Sequence, residues 1–432
     1  MPPRYAIAAS PAAIPVFTGR NTATRRALRQ DGDVNETGLI GVGEHLSRIL
    51  GSIEAGDSIR LPLDECLGLA LGEAVVNSIP LPPFANSSMD GYAVKAADVQ
   101  QLPAELVVSA DIPAGAGAVE PLPRGTAARI MTGAPVPAGA DAVIPVEWTD
   151  AGIHVVVINR RLSARTHVRD RGDDLPVGSV LGETGDVVDA GRIGLLASAG
   201  VAECRVYRRP RVAIFATGDE LVEPGTPLGP GAIYNSNTHL MRALASADAS
   251  VEAVETLPDD PVTALTALVE VAGNVDLLIT MGGISAGAYE PIKQAFATSG
   301  DIDFYSVGMQ PGKPQGFGFV GATPLLALPG NPLSSLVSFE IFVRPALRRL
   351  GGFSELHRQS VRLQLLNTQR RSLDRVRFLP AVADLFAGTV TTADRHGSHR
   401  SSTAAGTNCI LELPAGPADA RAGELVNARL LK

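Results

Sequence analysis

Between residues 210 and about 350 the chain repeats one pattern: a short apolar run ending in glycine or an acid, then a stretch with helical spacing. "RVAIFATG", "VDLLITMGG" and "TPLLALPG" read as buried strands, apolar throughout rather than alternating. "NSNTHLMRALASA" reads as a helix opened by Asn and Ser caps, and "DDPVTALTALVEVAG" as one with Asp260 as cap and Pro261 at the first helical position. "PIKQAFATSG" is a short helix, "DFYSVGMQPGKPQGFGFVG" a hairpin pair, and "NPLSSLVSFEIFVRPALRRLGG" a long helix capped by Asn331. Strands alternating with helices argue for a mostly parallel α/β sheet with right-handed crossovers.

Different patterns flank this region. Residues 42–55 space Val42, Leu46, Ile49, Leu50 and Ile53 along one helical face and mark where folded structure begins. From about 60 to 160, runs such as "ELVVSA", "ADAVIPVE" and "IHVVVI" alternate with Pro and Gly turns, as in a mainly β module. "DVVDAGRIGLLASAG" reads as a helix ending near Gly200 that returns the chain to the layer of residues 42–55. Past 355, "SVRLQLL", "VRFLPAVADL" and "NCILELPAG" form a small β domain, so the fold class is multidomain, α/β plus β.

Aromatics make up only 4% of the 432 residues, so the cores are built from Val, Leu, Ile and Ala. A net charge of −8 leaves no basic face for a phosphodiester backbone, which argues against a nucleic-acid partner. Cys66, Cys204 and Cys409 stand far apart, so neither a disulfide framework nor a thiolate zinc site is expected, and a reducing cytoplasm fits. No apolar run reaches the roughly 18 residues of a transmembrane helix. The first 40 residues lack the apolar segment of a signal peptide and read as a mobile tail.

In an open parallel sheet, ligands bind beyond the carboxyl ends of the strands. Those ends carry Thr217, Gly218, Asp219 and Glu220; then Asp259 and Asp260; then Gly282, Gly283, Ser285 and Glu290; then Pro329, Gly330 and Asn331. Glycines let backbone N–H groups approach an anion, and Ser285 and Asn331 stand where helix N-termini present donors. Carboxylates beside an anion require a cation, and Mg²⁺ bridges one or two carboxylates to a substrate phosphate. The expected ligand is therefore phosphorylated and accompanied by a divalent cation. Each element taken alone has a plainer reading: Gly-Gly as a turn, Asp260 as a helix cap, Glu220 as a solvated side chain.

Upstream, Asn86, Ser87, Ser88 and Asp90 follow two prolines and read equally well as a turn rich in side-chain hydrogen bonds. Arg169 and Arg171 either clamp phosphate or pair with Asp170, Asp173 and Asp174 at the surface. His396 and His399 lack acidic or thiol neighbours and make a poor zinc site, and no G-x-S-x-G elbow supports a serine hydrolase.

Seven segments in order, "PPFANSSMDGYAV", "RIMTGAPVPAGADAVIPVE", "RGDDL", "ATGDEL", "MGGISAG", "PGKP" and "LPGNPLSSLVSFEIFVRPAL", resemble the MoeA family of molybdopterin molybdenumtransferases over about residues 42–430. The resemblance implies an elongated homodimer. Its parts are a linker and dimerisation region (41–75 and 160–205), an inserted β module (76–159), a molybdopterin-binding α/β domain (206–353) and a C-terminal β domain (354–432), with the tail, 1–40, outside. It implies insertion of molybdenum from molybdate into adenylylated molybdopterin with release of AMP and use of Mg²⁺. Further partners would be the adenylyltransferase that makes the substrate and the molybdoenzymes that take the product. Asp90, Thr132, Arg169, Asp174, Glu220 and Asp259 fall on functional positions of the family, and Glu290 stands where bacterial members often have Asp. Glu220, Asp259 and Glu290 become the expected metal ligands. Gly218, Gly282, Gly283, Ser285, Lys313, Pro329, Gly330, Asn331 and Ser398 are expected around the cofactor.

Ser306, Gln310 and Pro380 stand where well-studied relatives have two lysines and an arginine thought to hold molybdate. Lys293 and Lys313 are the expected replacements. The same departures support an alternative, a non-catalytic molybdopterin-binding paralogue or scaffold without normal molybdate capture.

Overall fold

The computed structural model describes residues 38–285, 290–297, 301–392 and 401–431. The tail before residue 38, His396, Ser398 and His399 lie outside the described residues. The chain divides into two compact units, Arg60–Val206 and the remainder on either side of it.

The remainder contains the α/β sheet, in the order Ser250–Leu257, Arg211–Thr217, Leu277–Met281, Thr323–Leu328, Pro314–Val320, Ile302–Ser306. The first four strands are parallel, and the expected hairpin pair adds two antiparallel strands at one side. Alternate residues of Arg211–Thr217 enter two cores: Val212, Ile214 and Ala216 pack in one cluster, Ala213 and Phe215 in another. Burial on both faces accounts for a run without polar alternation. Helices form where their caps predict, with Asp260 accepting from the Thr263 N–H at 2.7 Å. The helix Asn237–Ala245 is capped differently: Ser236 makes no side-chain cap bond, and the Thr238 N–H donates to the Asn235 side chain.

The expected long helix is Pro332–Ser338 and Arg344–Leu350 joined by a π turn, Phe339–Val343. Pro345 explains the interruption, since its ring displaces the carbonyl four residues earlier and its nitrogen has no hydrogen to donate.

The C-terminal strands close on themselves. Val376–Asp384 pairs with both Thr389–Thr392 and Cys409–Leu413, and Ser360–Leu365 and Leu425–Leu430 complete the ring around Leu363, Leu379 and Leu411. Closure leaves no long free strand edge. The short strand Met309–Gln310 adds in parallel to Val376–Arg377, so the turn that follows it, residues 311–313, lies beside the barrel.

The helix Val42–Gly51 differs from expectation. The two helices expected together belong to different compact units, and Ala190–Ser198 packs with Leu63, Leu71 and Val206 inside its own. Ile49 and Ile53 instead join the core around Phe342 and Leu347, because Ile40 pairs with Val307 and leads the helix onto the α/β domain.

Within Arg60–Val206 lies a five-stranded sheet, Ala142–Pro145, Gly91–Val94, Thr126–Ile130, Ala104–Ile112, Val155–Ile158. A Cβ on Gly91 would lie 1.8 Å from the Ile144 carbonyl oxygen, so only glycine permits this strand spacing.

His45 is fully buried in the Val42–Gly51 helix, 5.1 Å from the Tyr305 ring and 4.8 Å from that of Phe342, and among the described residues neither ring nitrogen has a hydrogen-bond partner. Burial, aided by Arg48, pushes its pKa from 6.5 to about 3. A depressed folded-state value means that the stability it contributes is complete above pH 6.5 and is lost as pH falls from there toward 3. His45→Phe should remove that part of the acid slope. Urea midpoints for both proteins at pH 8, 6 and 4.5 measure it, and parallel curves would contradict a buried neutral imidazole.

Candidate functional site

The strand order places Arg211–Thr217 between Ser250–Leu257 and Leu277–Met281. The chain leaves the central strand toward one side and Leu277–Met281 toward the other, which opens a crevice at their carboxyl ends. A cleft of about 940 Å³ occupies this position. Gly218, Glu220, Asp259, Gly282, Gly283, Ser285, Glu290, Lys313, Pro329, Gly330 and Asn331 all line it. The shared rim expected from strand ends is thus one surface.

Gly218 takes φ +147°, and the Glu220 carboxylate folds over it where a Cβ would lie 2.5 Å from Oε2. The Asp259 N–H donates to Asp219 Oδ1 at 3.1 Å and ties the first two loops together. Asp259 and Asp260 divide two tasks. Thr263 donates to Asp260 from both its hydroxyl and its amide, which holds that carboxyl below the usual range, while Asp259 faces the cleft.

Gly282 and Gly283 have φ of +91° and +68°. A Cβ on either would lie 2.9 or 3.0 Å from the Thr217 hydroxyl, itself buried and, among the described residues, without a partner. The buried Glu290 carboxylate accepts the Ser285 N–H at 2.7 Å, joining the two described ends of this loop. On the next loop, the Asn237 amide donates to the Gly330 carbonyl at 2.5 Å and the Ser335 hydroxyl to that of Pro329 at 2.7 Å. Asn331 occupies the cap position, but its side chain makes no capping bond.

The other expected residues lie in Arg60–Val206. Asp90 accepts the Thr132 N–H at 2.7 Å, which lowers its pKa. Asn86–Ser87 pairs with Val168–Arg169, and the Asp174 N–H donates to the Leu81 carbonyl, so these segments form one cluster. Asp170 pairs with Arg165, and Arg171 donates to the Pro83 carbonyl; among the described residues Arg169 has no ion-pair partner. The turn reading of Asn86 and Ser87 also holds, since their side chains donate to the carbonyls of Phe84 and Met89.

Sequence reasoning missed Asn237, Arg375 and Arg377 as lining residues. Asn237 looked like a helix cap, and only the pairing of Met309–Gln310 with Val376–Arg377 brings the two arginines to the cleft. Gln310 and Pro380 line it too. Among the described residues no three His, Cys, Asp or Glu side chains converge as a ready metal cage.

This fold and site define a class: a multidomain α/β protein with a large cleft at the switch point of its parallel sheet. Three family profiles match, described as the MoeA N-terminal region (domain I and II) over residues 40–200, a probable molybdopterin binding domain over 213–349, and the MoeA C-terminal region (domain IV) over 362–431. The chain belongs to the MoeA family. Molybdopterin molybdenumtransferase 2 of Mycobacterium tuberculosis is 42% identical over 396 residues, spanning 88% of this chain and 97% of that protein. The Staphylococcus aureus molybdopterin molybdenumtransferase is 31% identical, spanning 91% and 96%. The crystal structure of a molybdopterin biosynthesis moeA protein from Pyrococcus horikoshii superposes with a TM-score of 0.80 at 26% identity, covering 91% of this chain and all of that one.

Gly282→Ala should destabilise the protein more than Gly225→Ala. Both positions have positive φ, and a non-glycine residue there costs about 1–3 kcal/mol. Only Gly282 also has the Thr217 contact; a Cβ at Gly225 meets nothing within 4 Å. Urea unfolding of the two variants measures the difference, and equal losses would mean the contact is not tight.

Proposed function

We propose that this protein is a molybdopterin molybdenumtransferase, which inserts molybdenum from molybdate into adenylylated molybdopterin and releases AMP in molybdenum cofactor biosynthesis. The observation that carries the reading is one cleft that joins closely approaching glycines to the carboxylates of Glu220 and Asp259. Sequence identity of 42% to a molybdopterin molybdenumtransferase along almost its whole length supports it.

In this reading the backbone amides of Gly283, Ile284 and Gly330 cradle phosphate, with Lys313 beside them, as oriented amides do at strand-to-helix junctions. Mg²⁺ fits the donor set: Glu220 and Asp259 line the cleft, and among the described residues neither has an ion-pair partner. Those two carboxylates would hold the cation, with Glu290 close by and already engaged by Ser285. When bound, Mg²⁺ would neutralise the phosphate oxygens, as it commonly does between one or two carboxylates and a substrate. Asp90, Thr132, Arg169, Asp174 and Ser398 remain proposed site residues. So do the domain limits stated above, the homodimer as working unit and the cytoplasm as its location.

The alternative, a binding paralogue without catalysis, rests on Gln310 and Pro380, two uncharged residues on the cleft wall. One assay separates the two. Purified protein with adenylylated molybdopterin, molybdate and Mg²⁺ should release AMP, and EDTA should stop it. Asp259→Asn should raise the Mg²⁺ needed for half-maximal release by at least about tenfold. Tight substrate binding with no AMP, while a MoeA relative succeeds in parallel, would favour the paralogue.

A further inference from the structure

The charged residues lining the cleft fall into two groups. Among the described lining residues the acids are Glu220, Asp259 and Glu290, all on loops at the carboxyl ends of the parallel strands or just beyond them. The cations are Lys313, Arg375 and Arg377, and all come from the other seam: the turn after Met309–Gln310 and the barrel strand paired with it. Gln310 lies directly opposite Arg377 in that pairing, which makes the three cations one patch.

This patch is short of negative charge. Lys313 is exposed and, among the described residues, has neither an ion pair nor a hydrogen bond from its ammonium. Among the described residues Arg375 pairs only with its chain neighbour Asp374, at 3.2 Å, with both side chains about a third exposed or more. Such a pair neutralises little in water. Arg377 donates from Nη1 to the Arg370 carbonyl, which carries no net charge, and its Nε is buried without an acceptor. Burial and the nearby Arg370 lower its pKa, with Asp419 only partly opposing. A half-buried guanidinium whose Nε is an unused donor favours a planar or tetrahedral oxyanion, to which arginine presents paired N–H groups.

We infer that the cleft is electrostatically two-ended, and that Arg375 and Arg377, with Lys313 at the edge, form the seat for the molybdate oxyanion. The inference rests on the function proposed above and deepens it. Two anionic reactants share one cleft, and separate charge groups let each reach its own end. The carboxylates repel a bare oxyanion, so it settles on the barrel side. The adenylyl phosphate, screened by a divalent cation, is accepted on the loop side. Arg375 and Arg377 thus act as specificity-determining residues for the second substrate.

The test uses the full chain, with three readouts for wild type, Arg375→Ala, Arg377→Ala and Arg377→Lys: AMP release against molybdate concentration, AMP affinity, and calorimetric binding of sodium molybdate alone. A charge-assisted bond lost from the seat should raise half-saturating molybdate by about ten- to a hundredfold in each alanine variant. Arg377→Lys should recover part of that loss, and AMP affinity should follow wild type. Unchanged molybdate dependence in both alanine variants overturns the inference. A loss of AMP affinity that parallels the molybdate effect also overturns it, because the patch would then hold the adenylyl phosphate or merely support the fold. If wild type releases no AMP but binds molybdate with affinity that falls in the alanine variants, the seat stands and the catalytic reading fails. If wild type releases AMP and calorimetry is identical across variants, the catalytic reading stands and the seat fails.

Discussion

The site depends on one close approach: the Gly282–Gly283 backbone against Thr217 at the end of the neighbouring strand. Parallel strands can be neighbours only if the loops that leave them diverge, and divergence opens a crevice that side chains would otherwise fill. Two consecutive residues with left-handed φ turn the chain sharply enough to keep that crevice clear, and the absence of Cβ atoms lets the loop lie on Thr217. Gly330 continues the construction, since a Cβ there would lie 3.3 Å from the Gly282 Cα. Main chain thus forms part of the cleft lining, beside side chains such as Met281, Ile284 and Phe378, and it supplies N–H donors without supplying charge.

Charge in the cleft is therefore left to side chains. A phosphate held by amides still needs its charge balanced, and a cation held by Glu220 and Asp259 would provide this from the loop side. The barrel contributes the opposite sign through a pairing of only two residues, Met309–Gln310 with Val376–Arg377. The pairing lies beside a core that Phe378 and Ile410 of the barrel share with the α/β sheet. It adds few hydrogen bonds, yet it fixes where Arg375, Arg377 and Pro380 meet the cleft.

Most of the architecture was legible because it is written in local patterns. Uninterrupted apolar runs identified three of the four parallel strands, the edge strand Ser250–Leu257 being interrupted by Glu252 and Glu255; Asp260 with Pro261 identified a helix start, and turn-rich alternation identified the inserted β module. What was not legible depends on contacts distant in sequence. The apolar stripe of residues 42–53 announces a helix but not its partner; the Ile40–Val307 bridge makes that choice. The π turn is implicit in Pro345, but only once the helix is known to continue through it. The site divides the same way. Glycines and acids at strand ends share a rim by a topological rule, so Gly282 and Glu220 were readable. Arg377 was not, because nothing in "DRVRFLP" reveals that this strand borders Gln310.

Asp259 and Asp260 show how far local chemistry can take such an argument. Adjacent and identical in type, they are indistinguishable by composition or charge. The proline at 261 decides between them. It sets the first helical position, which makes Asp260 the cap and commits its oxygens to Thr263, leaving Asp259 one step earlier and outside the helix. The Asp259 N–H is held by Asp219, so its backbone is fixed while its carboxylate stays available. An acid committed to a helix cap and an acid that lines the cleft thus stand side by side in the chain. Exchanging their roles would require moving the proline rather than either aspartate.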